Sequence, residues 1–234
     1  MSRPDPIDAY LDKLARELAF DPALARRVCL EVHDHLREAV DAGPGEAPPD
    51  AARRAIVRFG HAREIAAPYR ALAICTRMRR AGAIVVLGVA AIFLAMEGRV
   101  VWYGLVQWPV SRELQALGAI LLPVDRYAFL AAAVLAIAAW LRSLRLPSPA
   151  DHRSMPRAPV RRCQYLFAGA TIAAAVAVAI ELCLTGLRLL ETGLSSSALL
   201  PAASVLLELG LVAGVAVYLR NTRHRLDQQF GVAT

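Results

Sequence analysis

The sequence holds little from which a soluble enzyme could build an active site. Among its 234 residues Lys13 is the only lysine, and the five histidines all lie outside the long apolar runs. The four cysteines, Cys29, Cys75, Cys163 and Cys183, form no Cys-x-x-Cys pair. Cysteines scattered in this way support neither a disulfide framework nor a zinc ribbon, and they read as small apolar side chains. With no histidine in an apolar run, a bis-histidine haem bundle is excluded on ligands alone. No Gly-x-x-x-x-Gly-Lys-Ser/Thr, Gly-x-Ser-x-Gly or His-Glu-x-x-His occurs, which removes the motifs of phosphate loops, serine hydrolases and zinc proteases. These absences predict no cofactor, no metal and no enzyme activity.

What the chain does have is apolar sequence, kept apart from its charge. Hydrophobic residues make up 57% and charged residues 20%, and residues 1–80 are polar while residues 81–219 hold nearly all the long apolar runs. Residues 199–223, LLPAASVLLELGLVAGVAVYLRNTR, are long enough to cross a bilayer core of about 30 Å, which takes roughly 20 helical residues. The chain contains this stretch twice. Laid without gaps over residues 121–145, LLPVDRYAFLAAAVLAIAAWLRSLR, it repeats Leu-Leu-Pro at the start, Leu-Arg near the end and an Arg three residues later.

Four spans follow, at about 81–103, 117–141, 164–187 and 199–219. The hairpin turn between the first two lies at 109–115; were the first span to end at Glu97 instead, the Trp102, Tyr103 and Trp108 region would lie in the interface as part of an aromatic belt. Each half enters at an Arg pair, Arg79-Arg80 or Arg161-Arg162, and reaches a glutamate in its outer third, Glu97 or Glu181. Each then returns through the Leu-Leu-Pro span. The predicted fold is an all-α integral membrane protein with four transmembrane helices as two hairpins in parallel repeat, preceded by a small cytoplasmic helical domain. The divisions are 1–78 for that domain, 79–145 and 163–223 for the hairpins, 146–162 for a basic proline-containing linker and 224–234 for a tail. The first span lies behind a helical domain, so it is expected to insert uncleaved.

The net charge of +7 is explained by the membrane, because the arginines gather at the ends of the spans. Arg77, Arg79, Arg80, the six of residues 142–162 and the three of residues 220–225 fall on one side. Arg99, Arg112, Arg126 and Arg188 fall on the other. By the positive-inside rule the N-terminus, linker and C-terminus are cytoplasmic, in a bacterial inner membrane. No direct nucleic-acid partner is expected.

Within the polar head, Asp5-Pro6 and Asp21-Pro22 are helix starts. Ile7, Tyr10, Leu11, Leu14 and Leu18, then Leu24, Val28, Val32, Leu36 and Val40, mark two amphipathic helices. Residues 42–49, AGPGEAPP, break the second. Asp50 begins a third helix bearing Ile56 and Phe59 and closed by Gly60, and a fourth segment starts at His61, with Pro68 as a start, kink or break.

Tyr10-Leu11, the helix Glu31-Val32-His33-Asp34-His35-Leu36-Arg37-Glu38, and Ala55-Ile56-Val57-Arg58-Phe59-Gly60 followed by Glu64-Ile65-Ala66 together resemble the HAAS-type, or permease prefix, domain. That family shares a Tyr-Leu motif, an acidic "DHL" helix and a closing Phe-Gly motif. Here His61-Ala62 stands where the family usually has Asp-Pro. The resemblance covers the first third of the chain. It implies a cytoplasmic signalling or interaction module joined to membrane helices, in some cases those of permeases, often encoded near transcriptional regulators. It implies no enzyme activity.

Two groups of residues are candidate sites. Glu31, Asp34, His35, Glu38 and Asp41 recur at three and four along the second helix, so they share one strip. That strip is a solvated face, a docking surface for a basic protein, or a mixed-ligand metal site. In the membrane part, Glu208 lies near mid-span, where a charged carboxylate costs about 2.5–3.5 kcal/mol on insertion scales. Glu181 and Glu97 lie shallower, within reach of Arg99, Arg126 or Arg188. These groups either fix helix packing, form a ligand, lipid or proton-sensing site, or line a transport path. Gly210 and Gly214, at the repeat positions of Ala132 and Ala136, make small-xxx-small stripes that predict close packing of the second and fourth spans, or a homo- or hetero-oligomer. The expected function is a membrane-anchored regulatory protein that binds a cytoplasmic partner, such as a transcriptional regulator or sigma-type factor, with membrane lipid around its spans. The alternatives are a transporter subunit and a lipid-associated enzyme subunit.

Overall fold

The computed structural model describes residues 5–42, 48–107, 110–146, 157–193 and 198–231. They form seven helices: α1 Pro6–Glu17, α2 Pro22–Asp41, α3 Pro48–Phe59, α4 Ala62–Val106, α5 Arg112–Leu144, α6 Arg157–Thr192 and α7 Leu199–Gly231. They group into two compact units, one up to Ile74 and one built from Cys75–Leu146 and Arg157–Leu226.

In the first unit, the start signals Asp5 and Asp21 work as caps, whereas α3 already begins at Pro48 and carries Asp50 within its first turn. Asp5 Oδ1 accepts from the Ile7 amide at 3.0 Å, and Asp21 Oδ1 accepts from the Ala23 and Leu24 amides at 3.1 and 3.0 Å. Each satisfies donors that a helix end leaves without partners. The apolar stripes of α1 and α2 then meet α3 and the start of α4, burying Ile7, Tyr10, Leu14, Leu18, Val28, Val32, Leu36, Ala55 and Ala66. Each leucine or isoleucine removed from water contributes about 1.5–3 kcal/mol. Gly60 closes α3 at φ +105°, a conformation open to glycine and strained for other residues. The His61 carbonyl takes the Glu64 and Ile65 amides at 2.8 and 3.2 Å, so α4 starts after His61 without the Asp-Pro pair. It then continues through Pro68 with no break.

In the second unit, α4, α5, α6 and the 199–224 part of α7 are long and apolar enough to cross a membrane. Large apolar side chains such as Leu87, Leu94, Ile120, Val134, Ile172 and Leu206 stand exposed. A contiguous belt of this kind is stable only against lipid or another protein. α4 contacts all three other helices. It runs antiparallel to α5, with Phe93 stacked on Phe129 at 5.5 Å and Arg79 donating to the Leu144 carbonyl at 3.5 Å. It runs parallel to α6, where Arg99 meets Glu181 and Tyr103 meets Thr185, and antiparallel to α7, where Ser204 Oγ lies 3.2 Å from the Ala95 carbonyl oxygen and a Cβ at Gly88 would stand 3.1 Å from Val215 Cγ2.

α5 packs along α6 over much of its length, also antiparallel: Ser111, capping α5, donates to Glu191 near the end of α6 at 2.9 Å. The seam is small-sided, with Gly118, Ala132, Ala136 and Ala139 on α5 and Cys163, Ala170, Ala174 and Ala177 on α6, all buried. Their three-and-four spacing lets the backbones approach, so packing substitutes for the hydrophobic drive that lipid does not supply.

Three expectations change here. The small stripe of α5 serves α6 and not α7: Gly210 and Gly214 are exposed, and a Cβ at either would meet nothing within 4 Å. The basic linker is shorter than expected, because α6 begins at Arg157 and takes Arg161 and Arg162 into its first turns; its remaining residues, 147–156, lie outside the described ones. The turn after the first span is also shorter, since α5 starts at Arg112. The expected belt residue Trp108 and the serines 195–197 fall outside the described residues.

Candidate functional site

The spans bring their polar residues together at one level of the bundle. Arg99 on α4 is 1% exposed, and its Nη2 lies 3.1 Å from Glu181 Oε2 on α6. Its Nη1 lies 3.1 Å from Glu208 Oε1 on α7, an ionic contact without hydrogen-bond alignment, while Nη2 also donates to Glu208 Oε2 at 3.5 Å. Glu208 is fully buried and accepts from the Ser204 hydroxyl, one turn earlier, at 3.0 Å. One guanidinium thus joins three helices through two carboxylates. Its planar fork is suited to this, since it presents several donors in fixed directions. A buried charge is tolerated only when it is paired and hydrogen-bonded in this way.

A second polar layer lies one turn further along α4. The Tyr103 hydroxyl is 3.4 Å from Thr185 Oγ1, and the Arg188 guanidinium sits over the Tyr103 ring at 4.5 Å, a cation–π distance.

The fourth helix adds a residue that sequence reasoning passed over. Asp125 on α5 is 4% exposed, lies within electrostatic reach of Glu181, Arg99 and Glu208, and its Oδ1 makes no hydrogen bond. Read beside Arg126, it looks like half of a surface pair near the helix end. The signal that finds it is periodic: Asp125 precedes Ala132 by seven residues, hence two turns along the same buried stripe.

Of the expected intramembrane candidates, Glu208, Glu181 and Arg99 meet. Glu97 does not join them: it is exposed, because two residues along a helix turn it about 200° from Arg99. Arg126 is likewise exposed, one residue past Asp125. Arg188 serves the Tyr103 layer and not the ion pairs. The level of Glu181 on α4 is therefore taken by Arg99, not by Glu97.

In the first unit Glu31, Asp34, His35, Glu38 and Asp41 all stand exposed along α2, with His35 Nδ1 3.9 Å from Glu38 Oε2. Leu30, 67% exposed, lies among them one turn before Asp34. Among the described residues no group of three or more His, Cys, Asp or Glu is placed to hold a metal ion. A cavity of about 590 Å³ lies at the start of α4, lined by Lys13, Arg16, Glu17, His61, Ala62, Arg63 and Glu64.

The Tyr-Leu and Phe-Gly motifs serve the core and a helix end, while the charged residues of the α2 motif stand exposed. The Tyr10 hydroxyl donates to the Gly60 carbonyl at 3.1 Å, and the Tyr10 ring stands edge-on to Phe59 at 6.4 Å. Burial first, then the nearby Glu64 carboxylate, pushes the Tyr10 phenol above its ordinary value. The Tyr-Leu and Phe-Gly motifs therefore recognise each other and hold α1 on α3. No curated protein and no solved structure matches the chain. Residues 9–68, the segment that carries these motifs, match the HAAS family.

Proposed function

We propose that the protein is a membrane-anchored regulatory component of a bacterial inner membrane whose HAAS domain docks a cytoplasmic protein. The observation that carries this reading is the HAAS match over residues 9–68, with α4 beginning inside it at Ala62 and continuing as the first apolar span to Val106. A module of this kind, joined to apolar spans by one helix, suits reporting between a membrane state and a soluble partner. Tyr10, Phe59 and Gly60 serve the core and a helix end, so recognition falls to the exposed faces, which include the charged residues of the motif helix α2. The α2 strip fits best: Glu31, Asp34, Glu38 and Asp41 make an exposed acidic stripe, with the exposed Leu30 at its N-terminal end, where Arg26 and Arg27 lie one turn before it. An apolar anchor with charges around it is the usual anatomy of a docking patch, and this one suits a basic partner helix.

The arginine count supports a cytoplasmic head, linker and tail. The parallel-repeat reading gains support from the contacts between halves. Arg99 pairs with Glu181 and Tyr103 with Thr185, each 82 residues apart, the same offset that separates Arg79-Arg80 from Arg161-Arg162. Equivalent positions meeting across an axis is what two parallel hairpins related by a two-fold would give.

The test is affinity purification of the intact chain in mild detergent, as wild type and as Asp34→Lys with Glu38→Lys. The expected result is a cytoplasmic protein that co-purifies with the wild type and is lost from the variant, while the variant stays in the membrane fraction. Recovery of a nucleotide-binding transport subunit with both forms alike would replace this reading with the transporter one.

A further inference from the structure

We propose that Asp125, Glu181 and Glu208 form a proton-binding site inside the four-helix bundle, with Arg99 as its fixed counter-charge and Asp125 as the residue that holds the proton. This does not depend on the docking reading, since every group involved belongs to the second unit.

Every helix of the bundle contributes a group: Arg99 from α4, Asp125 from α5, Glu181 from α6, and Glu208 with Ser204 from α7. Tyr103 and Thr185 form the adjoining layer, where Arg188 is placed on the Tyr103 ring. Arg126, the other nearby cation, is exposed. Two carboxyl groups therefore contact one buried guanidinium and a third, that of Asp125, lies within electrostatic reach of it; with all three ionised, two negative charges are left uncompensated. Charge in a low-dielectric interior costs several kcal/mol per ion even after relaxation, and a cluster of this composition is stable only with added positive charge.

The distribution of hydrogen bonds says where that charge goes. Arg99 is engaged by Glu181 and Glu208, and Glu208 also holds Ser204. Asp125 Oδ1 has no hydrogen-bond partner although the residue is 4% exposed. An ionised carboxylate with an unsatisfied oxygen is the least favourable member of such a group. A metal ion needs several ligands converging at about 2–2.6 Å, and no such group occurs among the described residues. A proton needs neither a coordination sphere nor a cavity. Bound at Asp125, it lowers the excess from two negative charges to one, which the two glutamates share across Arg99. Glu181, at 12% exposure against none for Glu208, is the least covered carboxyl and the route by which the proton exchanges.

Infrared difference spectroscopy on the full-length protein in detergent, taken between acid and alkaline buffer, tests this. The wild type should show a carbonyl band of a protonated carboxylic acid that disappears at alkaline pH, shifts when the protein is grown with 13C-aspartate, and is lost in Asp125→Asn. The isotope arm assigns the band to aspartate as against glutamate, and Asp125→Glu, which keeps an acid at the site and should free the band from the 13C-aspartate shift, assigns it to Asp125 where Asp125→Asn does not fold. Absence of any titrating protonated-carboxyl band overturns the proposal, as does a band that 13C-aspartate leaves unmoved. Failure of any cytoplasmic protein to co-purify with the wild type, with the band intact, would count against the docking reading alone.

Discussion

The hydroxyl of Tyr10 does two jobs in the HAAS domain, and they can be separated. It satisfies the Gly60 carbonyl at the end of α3, and its ring packs on Phe59. Tyr10→Phe keeps the ring and removes the bond, so urea unfolding of a fragment of residues 1–78 should show a loss of about 1 kcal/mol. Gly60→Ala should cost about 1–3 kcal/mol, because φ +105° is strained for a residue with a Cβ. The phenol adds a pH signature. Its folded value is raised above the unfolded one of about 10, so its contribution is fully present below that pH. It is lost as pH rises through the folded value, because only the unfolded chain releases the proton readily. The wild-type fragment should therefore weaken above about pH 10 more steeply than Tyr10→Phe does. Equal slopes would mean that the hydroxyl's surroundings do not distinguish the two states.

At the scale of the helix, glycines that look alike in sequence carry different loads. A Cβ at Gly82 on α4 would stand 2.8 Å from Trp140 Cδ1 and 3.1 Å from Trp140 Cα on α5. Gly82→Ala should therefore lower thermal stability in detergent by about 1–3 kcal/mol through overpacking. Gly210→Ala and Gly214→Ala meet open space on α7 and should be neutral or stabilising by up to about 1 kcal/mol, the helix preference of alanine over glycine. A falling melting temperature for both α7 variants would mean that the stripe is covered by another copy or another protein. The contrast also shows what was legible beforehand. The caps, the four spans and the three small-domain helices could be read because length, polarity and capping are local properties of the chain. The choice of α6 as partner of α5 could not be read, since the small stripes of α5 and α7 are equivalent in sequence and only three-dimensional packing separates them. Glu208 was legible as a buried carboxylate needing a partner. The register that puts Arg99, and not Glu97, beside it was not, because depth counted from span ends does not fix which side of the helix a residue faces.

For the whole molecule, the distribution of arginine makes a claim about sides. Twelve of the arginines that flank the spans lie on the predicted inner side and three, Arg112, Arg126 and Arg188, on the outer, with Arg99 buried within the bundle. Each cation carried across the bilayer during insertion is costly, which is the physical basis of such a bias. In a background with Cys29, Cys75, Cys163 and Cys183 replaced, Ser196→Cys should react with an impermeant maleimide added to intact spheroplasts. Ser148→Cys, in the arginine-bearing linker, should react only after permeabilisation. The pair is chosen because both positions lie between spans, so both report on crossings and neither depends on how the HAAS domain packs. Labelling of both from the outside would leave an even number of crossings between them, or none, and the head, linker and tail would no longer share a side. That outcome would remove the cytoplasmic partner from the function. It would leave the Arg99 cluster untouched, because the ion pairs that join α4, α6 and α7 are set within the bundle whichever way it faces.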